Sequence, residues 1–211
     1  MDHEAHWNTR YAAAGDDYVF GTEPNRFLAR RAALLEEGAT AMSIADGEGR
    51  NSVWLADQGL DVTAVEISAV AVEKARRLAA GRNRKVNFLI ADVLSPSWPP
   101  KKLANAFDWV IGIFIQFANA DERTRQFGAM KQVTRPGGRI LLQGYTPKQL
   151  EYRTGGPSAV ENLYTADLLR QEFADWIIEE LAEYEDDIAE GAGHKGKSAL
   201  IGLIARKPVP A

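Results

Sequence analysis

The 211-residue chain has no cysteine at all, which removes disulfides, thiolate catalysis and cysteine-bound metals from consideration. It has only three histidines, His3, His6 and His194, and none stands in a metal-binding spacing; no metal site is expected. No apolar run approaches the roughly 20 residues that span a bilayer. The opening Met1-Asp2-His3-Glu4 also lacks the basic and apolar regions of a signal peptide, so a cytoplasmic location and no membrane partner are expected. An excess of positive charge is missing as well. The formal net charge of −4 argues against a broad nucleic-acid surface, while leaving room for a small basic pocket. Apolar residues at 45% and charged residues at 26% are ordinary globular usage, sufficient for a sizeable core.

No repeat, low-complexity tract or linker divides the chain, so a single domain over 1–211 is expected, with a helical cover over 1–38 and an α/β core over 39–211. Glu4–Tyr11 reads as a short helix with Trp7 and Tyr11 on one face. Pro24-Asn25 reads as the start of a helix with Phe27, Leu28, Leu34 and Leu35 on its apolar face and Gly38 as its stop. From Ala39 strands and helices alternate: strands at 41–45, 62–67, 86–91, 107–115 and 139–144, and helices at 51–58, 68–80, 119–133 and 165–173. Ser68 is a cap, Asn119 with Glu122 a capping box, and Pro136-Gly137-Gly138 a helix stop. Such alternation predicts parallel βαβ units. Two long strand-like stretches, 176–188 and 198–205, follow around Gly191-Ala192-Gly193 and read as an antiparallel hairpin. The expected fold is a Rossmann-like, doubly wound, seven-stranded α/β sheet, mostly parallel with a C-terminal antiparallel hairpin.

The first strand runs into Ala45-Asp46-Gly47-Glu48-Gly49-Arg50-Asn51 and then a helix, at the strand end where open α/β folds bind cofactors. Two glycines there also suit a tight turn that holds no ligand. Acids at the ends of the next two strands strengthen the ligand reading. Glu66 can accept both ribose hydroxyls of a nucleoside, and Asp92 can accept from an adenine amino group. Gly112-Ile113-Phe114, ending the fourth strand, can flank an amino-acid portion. A dinucleotide fingerprint would need glycines at Ala45, Gly47 and Arg50, and the first and third fail, which disfavours a nicotinamide-dependent oxidoreductase.

Several segments together resemble a known family. These are Trp7-Asn8-Thr9-Arg10-Tyr11, the stretch Tyr18 to Asn25, Gly47 to Ala56, Lys131 to Gly144, Thr154-Gly155-Gly156-Pro157 and Gly193-His194-Lys195-Gly196. The chain is similar to the class I S-adenosylmethionine-dependent methyltransferases, and within them to the branch of tellurite-resistance and thiopurine-type enzymes. The resemblance covers nearly the whole chain. It implies S-adenosylmethionine as cofactor, with S-adenosylhomocysteine as product. The donor-binding set would be Trp7, Arg10, Ala45, Asp46, Gly47, Glu48, Gly49, Asn51, Glu66, Ile67, Ser68, Asp92, Val93, Ile113 and Phe114. His194 would orient or deprotonate the acceptor, and Gln116, Tyr145, Tyr152 and Lys195 would line its pocket; an exposed turn histidine and plain loop packing are the competing roles. The chain departs from the family at Ser43, where an acid is common, at Ala45, where a glycine is common, and at Asp46. The expected activity is methyl transfer to a small-molecule acceptor, a chalcogen oxyanion or thiol being candidates, by a monomer or homodimer. The rival is a non-catalytic protein that binds the donor or its product. The run Glu179 to Glu190 reads as a solvated acidic strand face.

Overall fold

The structure, a computed structural model, describes residues 2–191 and 194–210. The chain divides into two compact units, Met1–Trp98 with Glu190–Gly193, and Pro99–Ala189 with His194–Ala211.

In the first unit, helix α1 (His3–Ala13) starts where the Asp2 carboxylate accepts the Ala5 N–H at 3.0 Å. Trp7 and Tyr11 stack at 5.6 Å, as their spacing predicts. The helix expected over 24–38 is shorter. Asn25 caps α2 (Arg26–Ala29), and only a 3-10 turn at Ala32–Leu34 follows, with Leu34 48% exposed. The positions three and four after Phe27 are Arg30 and Arg31, so the apolar row from Phe27 to Leu34 is broken, and only the small Ala32 links Leu28 to Leu35. Arg31 instead lies 3.4 Å over the Phe27 ring and donates to the Phe27 carbonyl.

Strands β1 (Thr40–Ile44), β2 (Asp61–Glu66) and β3 (Asn87–Ile90) run parallel in the order β3-β2-β1. Helices α3 (Arg50–Asp57) and α4 (Ala69–Gly81) lie between them in sequence. Ala41, Met42, Val53, Leu55, Val65, Val72 and Ala75 are buried and supply this unit's core. Ser68 caps α4 as expected, accepting the Ala71 N–H at 3.1 Å.

The second unit holds β4 (Phe107–Ile113), α5 (Ala120–Val133), β5 (Thr134–Tyr145), α6 (Gln149–Tyr152), α7 (Ala166–Glu172), β6 (Ile177–Glu190) and β7 (His194–Arg206). The strand order is β4-β5-β7-β6, with β4 parallel to β5 and β7 antiparallel to it, from Arg139↔Arg206 to Tyr145↔Leu200. The capping box of Asn119 with Glu122 forms as expected. Pro136-Gly137-Gly138 does not separate helix from strand. β5 begins at Thr134, and the register slips between Phe107 and Trp109, so the proline and glycines form an irregular stretch inside the strand. A Cβ on Gly138 would lie 2.9 Å from the Phe107 carbonyl oxygen. Of the expected turn Gly191-Ala192-Gly193, only Gly191 falls within the described residues.

The seven strands make a mixed, mostly parallel α/β sheet with antiparallel C-terminal strands, the Rossmann-like architecture read from the alternation. Among the described residues no helix is long and apolar enough to cross a membrane.

Candidate donor loop and acceptor-side cluster

The loop after β1 turns back on itself through residues of positive φ: Ala45 at 49°, Gly47 at 64° and Gly49 at 91°. Ala45, where the resemblance leads one to expect glycine, therefore adopts a left-handed backbone despite its Cβ. Two contacts fix the glycines. A Cβ at Gly47 would sit 2.9 Å from the Tyr11 hydroxyl, and one at Gly49 would sit 2.8 Å from the Ala75 Cβ. Gly49 thus lets α3 pack closely on α4, and Gly47 lets the α1 tyrosine lie on the loop.

Four acids lie in this loop or at the ends of the next two strands, and the structure separates their tasks. Asp46 is buried and turned inward. Its Oδ1 accepts the Ser43 hydroxyl at 2.7 Å and the Ser52 N–H at 3.2 Å, and its Oδ2 accepts the Ser52 hydroxyl at 2.5 Å. Burial pushes its pKa up, against the Ser52 and Ser43 hydrogen bonds that pull it down. Glu48 is also committed to protein. It forms a close ion pair with Lys74 at 2.6 Å, both side chains 2% exposed, and accepts the Val19 N–H at 2.7 Å. Lys74 in turn donates to the Asp17 carbonyl at 2.5 Å.

Glu66 behaves differently. It is buried, and its two oxygens accept one backbone N–H each, Gly47 to Oε2 and Ser68 to Oε1, both at 2.9 Å. Burial raises its pKa, and those two amides oppose the rise. Each oxygen keeps acceptor capacity for a hydroxyl. Asp92 is exposed, with one oxygen accepting the Leu94 N–H at 2.8 Å, and Val93 beside it is buried. The Tyr11 phenol is pushed well above its usual pKa, first by burial and then by Glu66 and Glu48.

The other candidates of this unit support the loop. Trp7 is half-buried on Tyr11, and the Arg10 guanidinium lies 5.2 Å over Trp7 and 5.0 Å over Phe20. Asn51 accepts the Asn25 N–H at 2.9 Å, and the Ser68 hydroxyl donates to Asn8 at 2.7 Å, tying α1 to the start of α4. Ile67 is half-buried beside it.

Arg50, which fails the dinucleotide fingerprint, is buried and paired with Glu190 at 2.6 Å. Glu190 also accepts from Asn25 Nδ2 at 3.0 Å and from the Arg26 N–H at 3.2 Å. The acidic run 179–190 is therefore not uniformly solvated: its last member is a buried counter-ion. No local pattern signals this pairing, because the partners lie 140 residues apart. Lys74 left a fainter trace, a lysine on the same helix stripe as the buried Ala71 and Ala75.

In the second unit Phe114, Tyr145 and His194 gather at the carboxyl ends of β4 and β5 and the start of β7. The Phe114 ring lies 4.6 Å from Tyr145 and 4.4 Å from His194, nearly parallel to both. The Tyr145 hydroxyl is 2.7 Å from His194 Nδ1. His194 is thus half-buried as the first residue of a strand, not an exposed turn residue. Phe114 has φ 56°, a left-handed conformation uncommon for a bulky residue, and it carries the ring into this stack. The structure groups Phe114 with the rings of its own unit; Ile113 beside it is buried.

Gln116 is 3% exposed and grips the Tyr145 backbone from both sides. Its Oε1 accepts the Tyr145 N–H at 2.6 Å, and its Nε2 donates to the Tyr145 carbonyl at 2.9 Å and the Asn162 carbonyl at 3.1 Å. A substrate contact through that amide would have to displace these bonds. Tyr152 ends α6 beneath the ammonium of Lys197, 4.7 Å from its ring, and Lys195 is exposed on β7. Among the described residues no cluster of three or more histidine or acidic side chains is placed to hold a metal.

Residues 41–138 match the methyltransferase domain. The matched segment, a little under half of the chain, runs from β1 into β5 and contains Asp46, Glu48, Glu66 and Asp92. The chain is 27% identical over 133 residues to a demethylmenaquinone methyltransferase of Renibacterium salmoninarum, covering 63% of this chain and 49% of that protein. It spans about half the length of the curated relatives it matches. Among solved structures, one described as the conversion of a disulfide bond into a thioacetal group during echinomycin biosynthesis matches with TM-score 0.76 at 19% identity. That match covers 98% of this chain and 94% of the other. TehB from Haemophilus influenzae matches with TM-score 0.70 at 16% identity, over 95% and 67%. The fold is the one these solved structures share, and the sequence match to a methyltransferase domain is confined to residues 41–138.

Proposed function

We propose that the chain is an S-adenosylmethionine-dependent methyltransferase acting on a small-molecule acceptor. The observation that carries this reading is Glu66. A buried carboxylate held by two backbone amides beside a glycine loop is an acceptor for a vicinal diol, which is what a ribose presents. Asp92, exposed with only one oxygen turned to its own loop, suits an adenine amino group. The nucleoside half of S-adenosylmethionine fits these residues. Its amino-acid half would rest on loop backbone, because Asp46 and Glu48 face protein partners. When bound, the donor supplies an electrophilic methyl carbon on a sulfonium; the chain's part is to orient the acceptor and exclude water.

His194, stacked on Phe114 and bonded to Tyr145, is the residue we assign to the acceptor. An aromatic and imidazole surface beside Lys195 suits a soft or anionic nucleophile, with thiols and chalcogen oxyanions as the first acceptors to try. The sequence resemblance to the tellurite-resistance branch is the reason to include tellurite. The likeness to a demethylmenaquinone methyltransferase supports adding a quinol-type hydroxyl or ring carbon.

Calorimetric titration with S-adenosylmethionine and S-adenosylhomocysteine tests the donor reading, with Glu66→Ala as control. Micromolar binding that falls at least tenfold in the variant is expected. Undetectable binding by the wild type would overturn it. Tight binding with no methyl transfer to any acceptor tried would favour the rival, a donor-sensing protein without turnover.

A further inference from the structure

The ring cluster contains one hydrogen bond that decides what His194 can do. Tyr145 is 1% exposed, and every part of it is held. Gln116 clamps its backbone, Phe114 covers its ring at 4.6 Å, and Gly156 lies so close that a Cβ there would come within 2.8 Å of Tyr145 Cδ2. Gly156 has φ 83°, so both the conformation and the close approach at that position call for glycine. All this fixes the tyrosine hydroxyl 2.7 Å from His194 Nδ1.

A phenol O–H is a stronger acid than a neutral imidazole N–H, and an imidazole lone pair is a better acceptor than a phenol oxygen. The bond is therefore stronger with Tyr145 donating and Nδ1 accepting. Histidines that serve as bases through Nε2 usually have the opposite partner, a carboxylate or carbonyl that accepts from Nδ1–H.

We propose that Tyr145 is a positioning residue that holds neutral His194 as its Nε2–H tautomer. His194 then donates a hydrogen bond to an acceptor that arrives already ionised, an oxyanion or thiolate, and takes no proton from it. The choice of acceptor class rests on the methyl-transfer reading above; the tautomer does not. The charges balance without a base. The anion's lone pair forms the new bond to the methyl carbon, the carbon–sulfur pair leaves with the sulfur, and the sulfonium becomes a neutral thioether as the acceptor loses its negative charge.

The test is the tautomer itself, read by long-range proton–nitrogen correlation on uniformly nitrogen-15-labelled protein at a pH where the imidazole is neutral. The chain has only three histidines, and His194→Gln identifies the signal. The expected wild-type spectrum shows His194 protonated at Nε2. In Tyr145→Phe, which keeps the ring packing, the ratio of tautomers shifts toward Nδ1–H by about fivefold, the equivalent of one ordinary hydrogen bond. A wild-type imidazole protonated at Nδ1, or an unchanged ratio in a folded Tyr145→Phe, would overturn the proposal. The wild-type spectrum decides even if the variant does not fold. Neither spectrum needs donor or acceptor, so failure here is separate from failure of the donor titration.

Discussion

Replacing Glu190 with glutamine tests whether the pairing of Arg50 is a structural keystone of the donor loop. The two side chains are 7% and 5% exposed, so neither charge is screened by solvent. Breaking such a pair from one side leaves a buried guanidinium without its counter-charge, which costs about 3–5 kcal/mol. For a chain of this length each kcal/mol shifts Tm by roughly 2–4 °C, so Glu190→Gln should melt about 6–20 °C below the wild type. The single change Arg50→Met strands the carboxylate and should cost a similar amount. The double variant Arg50→Met, Glu190→Gln removes both charges together and should recover much of the loss, because no buried charge is then left without its partner. Urea denaturation of all four proteins gives the coupling energy. A cost below about 1 kcal/mol for Glu190→Gln, the range of an exposed pair, would refute the argument. So would a double variant as unstable as the sum of the singles.

Two other outcomes follow from buried polar groups. The Tyr164 hydroxyl is fully buried and has no hydrogen-bond partner among the described residues, so Tyr164→Phe should be neutral or stabilising by up to about 2 kcal/mol; a loss above about 1 kcal/mol in urea would contradict this. Glu66 titrates above its ordinary pKa in the fold, so the folded state holds its proton more tightly than the unfolded chain, and stability from this group is lost as pH rises through that raised pKa. Stability of the wild type relative to Glu66→Gln should therefore improve as pH falls from 7 toward the ordinary carboxylate range, measured by paired melts; a difference that is flat or moves the other way would contradict the burial argument.

The strands, most of the helices and the candidate donor loop were legible in the sequence because they depend on local spacing. Ser68 and Asn119 announced helix starts, and β-branched runs announced strands. Glu66 and Asp92 were visible as acids at strand ends. What local spacing does not carry is the partner of a charge. Asp46 and Glu48 look equivalent to Glu66 in the sequence, yet Ser43 and Ser52 turn one inward and Lys74 claims the other. Gln116, read as a substrate contact, is a clamp on the Tyr145 backbone, because a glutamine just beyond a strand has the reach to bridge the neighbouring one. The expected 24–38 helix failed for a different reason: two arginines interrupt its apolar stripe, and seven-residue spacing alone does not sustain a face.

The departures from the family at Ser43 and Asp46 belong together. Where the resemblance leads one to expect an acid at 43, the serine there is a hydroxyl donor, and the acid three residues later receives it at 2.7 Å. The carboxylate has in effect moved from the strand end into the loop, where it gathers the Ser43 hydroxyl and both polar groups of Ser52. That brace holds the left-handed turn at Ala45 and the start of α3 without a glycine at 45. It also commits both Asp46 oxygens to Ser43 and Ser52. On the proposed donor reading, recognition by side-chain carboxylates in this unit would fall to Glu66 and Asp92, the two acids assigned to the nucleoside and not to the amino-acid end. On that division S-adenosylmethionine and S-adenosylhomocysteine should bind with nearly equal affinity, since they differ at the sulfur and share the nucleoside. The same titration that tests for donor binding therefore also tests how the loop carries it out.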